Sequence, residues 1–200
     1  MPANTPRVAV VERATNETNI RISINIDGAG QAVVDTGIGF FDHMLTAFAK
    51  HGLFDLEVTC RGDLHVDGHH TVEDVGICLG QALTRAVGDK AGITRFGQSA
   101  IPLDEAVVRC VVDCSGRPYF GFHDFALPAG TVGAFDLSLT PEFFRACAGQ
   151  AGLTLHLWQL CGENPHHIVE AAFKACARAC AAAFRYDARV HGVPSTKGVL

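Results

Sequence analysis

Two clusters in the sequence combine the residue types and the spacing of a metal site. Each has two adjacent histidines followed three residues later by a glutamate. These residues are His69, His70 and Glu73 in the first cluster, and His166, His167 and Glu170 in the second. On a helix, residues i and i+4 lie nearly above each other whereas neighbours point apart, so one histidine and the glutamate can share an ion while the other histidine serves a different one. Imidazole and carboxylate ligands without thiolate favour manganese, iron or zinc and argue against a structural zinc site.

A single occurrence of this pattern could also be a helix start that is capped by polar residues and has its histidines exposed to solvent. The pattern occurs twice, each time leading into an apolar, alanine-rich run, and this repetition favours paired metal sites. His43 lies among large apolar residues in FFDHML at 40–45. A polar side chain in such a context predicts either a buried site or a ligand.

A second set of residues has the chemistry of a phosphate site. It contains three cations and a hydroxyl, each close to a glycine turn, and its members are Arg95, Arg117, Ser195 and Lys197. Such groups can bind a small phosphate by charge-assisted hydrogen bonds.

The composition narrows the class of protein. Two hundred residues with 48% hydrophobic content are enough for one buried core. The net charge of −5 and the scattered lysines and arginines predict neither nucleic-acid nor membrane-surface partners. No apolar run reaches the roughly 18 residues of a membrane helix, and residues 1–11 lack a signal-peptide core, so a cytoplasmic protein is predicted. The eight cysteines form no CxxC pair and are predicted to be reduced and buried.

The elements that would position these residues follow the same order in both halves. The first half is predicted to contain strands at 7–13, 19–26, 31–35 and 54–61 and helices at about 40–50 and 71–89. The strand at 31–35 is expected to return from a turn at 27–30. The second half is predicted to contain strands at 106–114, 119–125 and 153–160 and helices at 141–148 and 167–186. Residues 67–86 align with 164–183 without a gap, and Glu142 aligns with His43.

This internal repeat predicts an α/β fold (an α+β sandwich) of two duplicated halves, each a mostly antiparallel sheet packed against helices. The chain is expected to be a single catalytic unit with repeats at about 7–92 and 93–190 and a C-terminal phosphate-binding tail at 191–200. Only two charges interrupt residues 171–184, so the last helix is predicted to be buried between a sheet and another helix.

Several motifs together resemble the imidazoleglycerol-phosphate dehydratases, enzymes of histidine biosynthesis. They are FDHML at 41–45, DGHHTVED at 67–74, PLDE at 102–105, SGRPY at 115–119, NPHH at 164–167 with Glu170, FKA at 173–175, and PSTKGVL at 194–200. The resemblance runs from about residue 7 to residue 200. It implies a metal-dependent carbon–oxygen lyase that dehydrates imidazole glycerol phosphate to imidazole acetol phosphate, with two Mn(II) ions per active site at a subunit interface.

The resemblance also implies a role for each candidate residue. The implied metal ligands are His43, His69, His70, Glu73, His166, His167 and Glu170. Glu17 falls on the acid/base carboxylate lent by a neighbouring subunit, and Glu73 and Glu170 are counted with it as catalytic carboxylates. The implied substrate-binding residues are Glu17, His51, Arg95, Arg117, Ser195 and Lys197. The implied assembly is a large homo-oligomer of 24 subunits built from trimers, and the implied small-molecule partner is a phosphorylated imidazole.

Glu142 departs from this pattern, because many members of the family have a histidine at the counterpart of His43. A carboxylate there could ligate manganese or could face solvent, and the sequence leaves both open. Two other functions share the same residues: a di-metal hydrolase of small phosphate esters, and a non-enzymatic, metal-dependent assembly protein.

Overall fold

The computed structural model describes residues 6–200. The first five residues, part of the 1–11 segment in which no signal peptide is predicted, lie outside the described range. Within residues 6–200, no helix has both the length and the hydropathy needed to cross a bilayer.

The first half of the chain forms a four-stranded sheet with two helices. Its elements are β1 (Val8–Ala14), β2 (Thr18–Asn25), β3 (Ala32–Asp35), α1 (Gly39–Gly52), β4 (Asp55–Gly62) and α2 (His69–Val87). The strand order is β1-β2-β4-β3, antiparallel except for the parallel pair β3–β4. Ile20, Ile22 and Ile24 point inward from β2 and are at most 1% exposed, as the alternation in the sequence predicts.

The second half repeats this arrangement. Its elements are β5 (Phe96–Leu103), β6 (Ala106–Asp113), β7 (Tyr119–His123), β8 (Thr131–Val132), β9 (Phe135–Asp136), α3 (Leu139–Ala151), β10 (Thr154–Cys161) and α4 (Pro165–Phe184). The strand order is β5-β6-β10-β7, again with one parallel pair, β7–β10. The predicted fold class, two similar halves of mostly antiparallel sheet and helices, is confirmed.

All four long helices lie between the two sheets. Helix α2 packs on β1 and β2 and against α3, and α4 packs on β5 and β6 and against α1. The predicted burial of α4 between a sheet and a helix is therefore confirmed. Gly97 allows β5 to approach α4 closely, because a Cβ at that position would overlap the backbone of Ala179 on α4. Each helix of one half thus touches a helix of the other, which brings side chains of both halves together.

Strand β3 runs back from the turn in the direction opposite to β2, as predicted, but it does not pair with β2. Residues 32–35 lie at the sheet edge and pair in parallel with β4. The reason is visible at Asp55, the first residue of β4, whose carboxylate accepts hydrogen bonds from the backbone N–H groups of Ala29 (2.8 Å) and Gln31 (3.0 Å). The turn is thereby tied to β4, and the chain continues along that strand.

Strand β5 and the small β8–β9 hairpin were not predicted. Gly97 and Pro102 interrupt the β5 sequence, and both residues are unfavourable in strand interiors. The hairpin has only two residues in each strand, too few for a period-two signal.

Seven of the eight cysteines are buried, and Cys161 at the end of β10 is exposed. Burial raises the pKa of Cys60, Cys78 and Cys114 to about 11, so these thiols stay protonated near neutral pH. All eight cysteines are free, and the expectation of burial is met at every one except Cys161.

We expect a thiol-specific disulfide reagent at pH 8 to modify one cysteine of the native protein rapidly, because Cys161 is exposed and the other seven cysteines are buried. Full unfolding should expose all eight cysteines. A Cys161→Ser variant is the control and should lose the rapid phase. Rapid native modification of several cysteines would contradict the buried arrangement.

Candidate metal centre

Three side chains from the two halves meet between α1 and α4. The Nε2 atoms of His43 and His166 lie 3.2 Å and 3.1 Å from the same Oε2 atom of Glu170. One ligand atom from each of these residues lies within 4.8 Å of the other two, which makes this the one such group found within residues 6–200. A site of two imidazoles and a carboxylate therefore forms only because α1 packs against α4.

Local sequence sets the position of the α4 ligands. The side chain of Asn164 accepts a hydrogen bond from the backbone N–H of His166 (3.0 Å) and caps the helix, and Pro165 occupies its first turn. The i,i+4 spacing then brings Glu170 under His166. The edge of the His166 ring meets Phe40 (centroids 5.0 Å apart), which limits its rotation.

Glu170 is a charged carboxylate in a largely buried position. Burial alone would raise its pKa, but the ammonium of Lys174, 2.6 Å from Oε1, together with His43 and His166, lowers it to about 2. Oε1 is thus occupied by Lys174, whereas Oε2 faces the two imidazoles. Lys174 lies in the FKA motif at 173–175, but it was not predicted to belong to the site.

The corresponding residues between α2 and α3 are arranged differently. His69 and Glu73 lie 3.8 Å apart on α2, at the predicted i,i+4 spacing. Glu142, which occupies the position of His43 in α3, accepts two hydrogen bonds from Arg145 (2.7 Å and 2.6 Å). The two halves therefore present unequal sites in this structure.

The second histidine of each cluster is oriented by a carboxylate. Nδ1 of His70 lies 3.0 Å from Asp63, and Nδ1 of His167 lies 2.8 Å from Glu105. These hydrogen bonds raise the pKa of both histidines. A carboxylate on one ring nitrogen fixes the ring and leaves the other nitrogen for a metal. Sequence reasoning missed Asp63 and Glu105 as partners, because their contacts depend on the strand and hairpin geometry.

The free nitrogen of His70 lies near the predicted acid/base residue. Oε1 of Glu17 is 3.7 Å from Nε2 of His70. The turn that carries Glu17 is held by Thr15, whose hydroxyl accepts hydrogen bonds from the N–H groups of Glu17 (3.1 Å) and Thr18 (3.0 Å). Thr18 in turn donates to the buried carboxylate of Asp74 on α2 (2.6 Å). Glu17 is consequently fixed to the helix that carries the first cluster.

The predicted phosphate-binding residues gather at another place, where β6 ends and the C-terminal tail returns. Arg95 donates from Nε and NH2 to Asp113 (2.7 Å and 3.1 Å) and from NH1 to the carbonyl of Pro194 (2.9 Å). NH2 of Arg117 lies 3.8 Å from the same carboxylate. Ser195 follows Pro194, and its hydroxyl accepts a hydrogen bond from the backbone N–H of Lys197 (3.1 Å).

His51 lies elsewhere, on the last turn of α1 and two turns beyond His43. Burial and the charges of Lys174 and Arg178 lower its pKa. An uncharged imidazole beside two cations is compatible with an anion site, so the predicted role of His51 at the edge of the substrate stays a prediction.

Comparison with known proteins identifies the family. The model of the family described as imidazoleglycerol-phosphate dehydratase matches residues 36–180. A protein of that name from an Acidovorax species is 57% identical over 195 residues, covering 97% of this chain and 92% of its own length. The chain belongs to the imidazoleglycerol-phosphate dehydratase family.

Other members of the family agree in sequence and fold. An imidazoleglycerol-phosphate dehydratase from Gluconobacter oxydans is 56% identical over 198 residues, covering 98% of this chain and all of its own. The crystal structure of the dehydratase from Staphylococcus aureus superposes with a TM-score of 0.81 at 40% identity, covering 90% of this chain and 99% of that chain.

Imidazoleglycerol-phosphate dehydratases are carbon–oxygen lyases, and membership assigns that enzyme class to this chain. Neither alternative function, the phosphate-ester hydrolase or the metal-dependent assembly protein, is supported by the comparisons. The individual metal and substrate residues stay predictions, now with the geometry described above.

Proposed function

We propose that the protein dehydrates imidazole glycerol phosphate to imidazole acetol phosphate in histidine biosynthesis, in the cytoplasm, with two Mn(II) ions per active site. The observation that supports this most directly is the convergence of His43, His166 and Glu170 on one point between the two halves. Two imidazole nitrogens and a carboxylate oxygen that lie within 4.8 Å of one another can bind one metal ion.

The donor set suits manganese. His43 and His166 offer imidazole nitrogens, and Glu170 offers a carboxylate oxygen that stays ionised because its pKa is low. Mixed nitrogen and oxygen donors without thiolate fit Mn(II) and leave open positions for a substrate. When bound, the metal ions would supply positive charge that stabilises the substrate imidazole in its deprotonated form.

His70 and His167 support a site shared between subunits. Each ring is held through Nδ1 by a carboxylate of its own chain, and among residues 6–200 neither histidine belongs to the group of His43, His166 and Glu170. We propose that each completes the coordination of an ion held by another copy of the chain. Metal binding would then drive self-association, in the proposed assembly of 24 subunits from trimers.

The chain's own residues would move the protons. Dehydration removes a proton from one carbon of the glycerol chain, breaks the C–O bond beside the ring, and releases that hydroxyl as water; the resulting enol becomes the ketone. Glu17 is suited to carry the proton, because its carboxylate is about half exposed, lies on a fixed turn and sits 3.7 Å from Nε2 of His70. Arg95, Arg117, Ser195 and Lys197 would hold the phosphate and so fix the glycerol chain relative to Glu17.

Removal of metal tests this function directly. We expect protein stripped with a chelator and dialysed to lose dehydratase activity by at least about a hundredfold, because imidazole and carboxylate side chains alone cannot supply the charge of two ions. Mn(II) should restore the activity, whereas Mg(II), which binds poorly to imidazole, should not.

The readout is formation of the ketone product, with released phosphate measured in parallel. Full activity in metal-stripped protein would refute the two-metal mechanism. Release of inorganic phosphate instead of ketone would favour the hydrolase.

A further inference from the structure

Asp113, at the end of β6, connects the predicted phosphate-binding residues to one another. Its carboxylate is hydrogen-bonded to Nε and NH2 of Arg95 at 2.7 Å and 3.1 Å, and NH2 of Arg117 lies 3.8 Å away. Both partners of the Arg95 pair are largely shielded, with side-chain exposures of 14% for Arg95 and 19% for Asp113. A bidentate pair with this little exposure is geometrically well defined, unlike most surface ion pairs.

The hydrogen bonds of Arg95 define which of its donors remain available. A guanidinium has five N–H groups. Asp113 takes two and the carbonyl of Pro194 takes one, which leaves one N–H on each terminal nitrogen. A guanidinium with a donor left on each terminal nitrogen can still hydrogen-bond phosphate oxygens. Asp113 thus occupies one edge of the guanidinium and leaves the terminal nitrogens partly free.

The backbone and the neighbouring ring restrict Arg95 further. Its φ of 71° is in the left-handed region, which a non-glycine residue adopts at a cost. The backbone is held there by hydrogen bonds from Arg95 N–H to the carbonyl of Ala183 (2.9 Å) and from Cys114 N–H to the carbonyl of Arg95 (3.0 Å). The guanidinium also covers the ring of Phe96, 4.7 Å from its centroid. The backbone hydrogen bonds and the contact with Phe96 therefore fix the direction of the Arg95 side chain.

We propose that Asp113 is a positioning residue for phosphate binding: it holds Arg95 so that this one guanidinium both contacts the substrate phosphate and anchors the C-terminal tail through Pro194. The inference rests on the proposed function, in which Arg95, Arg117 and the tail bind that phosphate. Asp113 itself does not touch the substrate. Because its carboxylate already holds Arg95 in place, Arg95 loses less conformational entropy when phosphate binds. The same carboxylate also places a negative charge near the anion, which weakens binding.

The charge and the positioning effect predict opposite results for Asp113→Asn, which makes the experiment decisive. If positioning dominates, the variant raises KM for the substrate and the dissociation constant of inorganic phosphate together, by about tenfold or more, and changes kcat by less than about threefold. Trypsin should also cleave after Lys197 faster, because the tail has lost its anchor. Asp113→Glu, which restores the charge, should recover part of the phosphate affinity.

The chain offers a closely matched control. Arg7 donates from Nε and NH2 to Asp27 (2.9 Å and 2.6 Å), from NH1 to the carbonyl of Phe184 (2.8 Å), and covers the ring of Tyr186 at 4.2 Å. Asp27→Asn therefore removes the same kind of pair and should lower the melting temperature to a similar extent. It should leave KM, phosphate affinity and tail cleavage unchanged.

Phosphate affinity in Asp113→Asn that is unchanged, or tighter as loss of a nearby negative charge would give, overturns the proposal. So does an effect no larger than that of Asp27→Asn. If the wild-type protein binds inorganic phosphate but produces no ketone, the proposed function fails, and the phosphate dissociation constants still decide the role of Asp113.

Discussion

Replacement of Glu17 by glutamine is expected to lower kcat by about a hundredfold to ten-thousandfold, the range that general acid–base catalysis contributes. Glutamine keeps the size and the hydrogen-bonding ability of the side chain but cannot carry the proton. The turn should persist, because Thr15 and Thr18 hold it through the backbone and Asp74 rather than through the Glu17 side chain. Metal content, assembly and KM should therefore change little.

Glu12→Gln is the control for this substitution. Glu12 lies on the same hairpin and its side chain is 72% exposed, 3.4 Å from Arg21. Its replacement should leave turnover unchanged. If Glu17→Gln kept wild-type kcat, another group would have to carry the proton; if it lost metal or assembly instead, Glu17 would have a structural role.

Replacement of Glu170 by glutamine is expected to weaken metal binding by on the order of a hundredfold or more, which exceeds the effect of losing a residue that only orients a ligand. Glu170 presents Oε2 to both His43 and His166, so a single change removes the group on which the site converges. The ammonium of Lys174 would also lose its partner at 2.6 Å, and the unfolding free energy should fall.

Metal titration by calorimetry, with thermal unfolding in parallel, measures both effects. Glu163→Gln, at an exposed position before α4, is the control and should match the wild type. Wild-type metal affinity in Glu170→Gln would show that the ion binds elsewhere.

The same titration of Glu142→Gln distinguishes its two possible roles: loss of one bound ion would make Glu142 a ligand, and unchanged stoichiometry would leave it a partner of Arg145.

Features that depend on a single helix or strand could be predicted from the sequence. Contacts between two elements that are distant in the sequence could not. Period-two alternation predicted β2 from Ile20, Ile22 and Ile24, because burial on one face is a property of the strand itself. The pairing of β3 depends on the carboxylate of Asp55, more than twenty residues away, and no local pattern contains it.

The candidate site shows the same limit. The spacing of His166 and Glu170 on one helix was predictable from the 3.6-residue period. The approach of His43 from α1 followed only from helix packing, and its role came from the family resemblance. Asp113 lies two residues before the SGRPY motif, but its two hydrogen bonds to Arg95 depend on the register of β5 against β6.

The packing of every helix against one from the opposite half has an evolutionary consequence. A half-length ancestor would have carried its His43 equivalent and its Glu170 equivalent on surfaces that cannot meet within one copy. Such an ancestor could bring these two residues together only as a two-fold homodimer, and fusion of two copies would make that dimer permanent. The two sites would then be able to differ, as histidine at position 43 and glutamate at position 142 do.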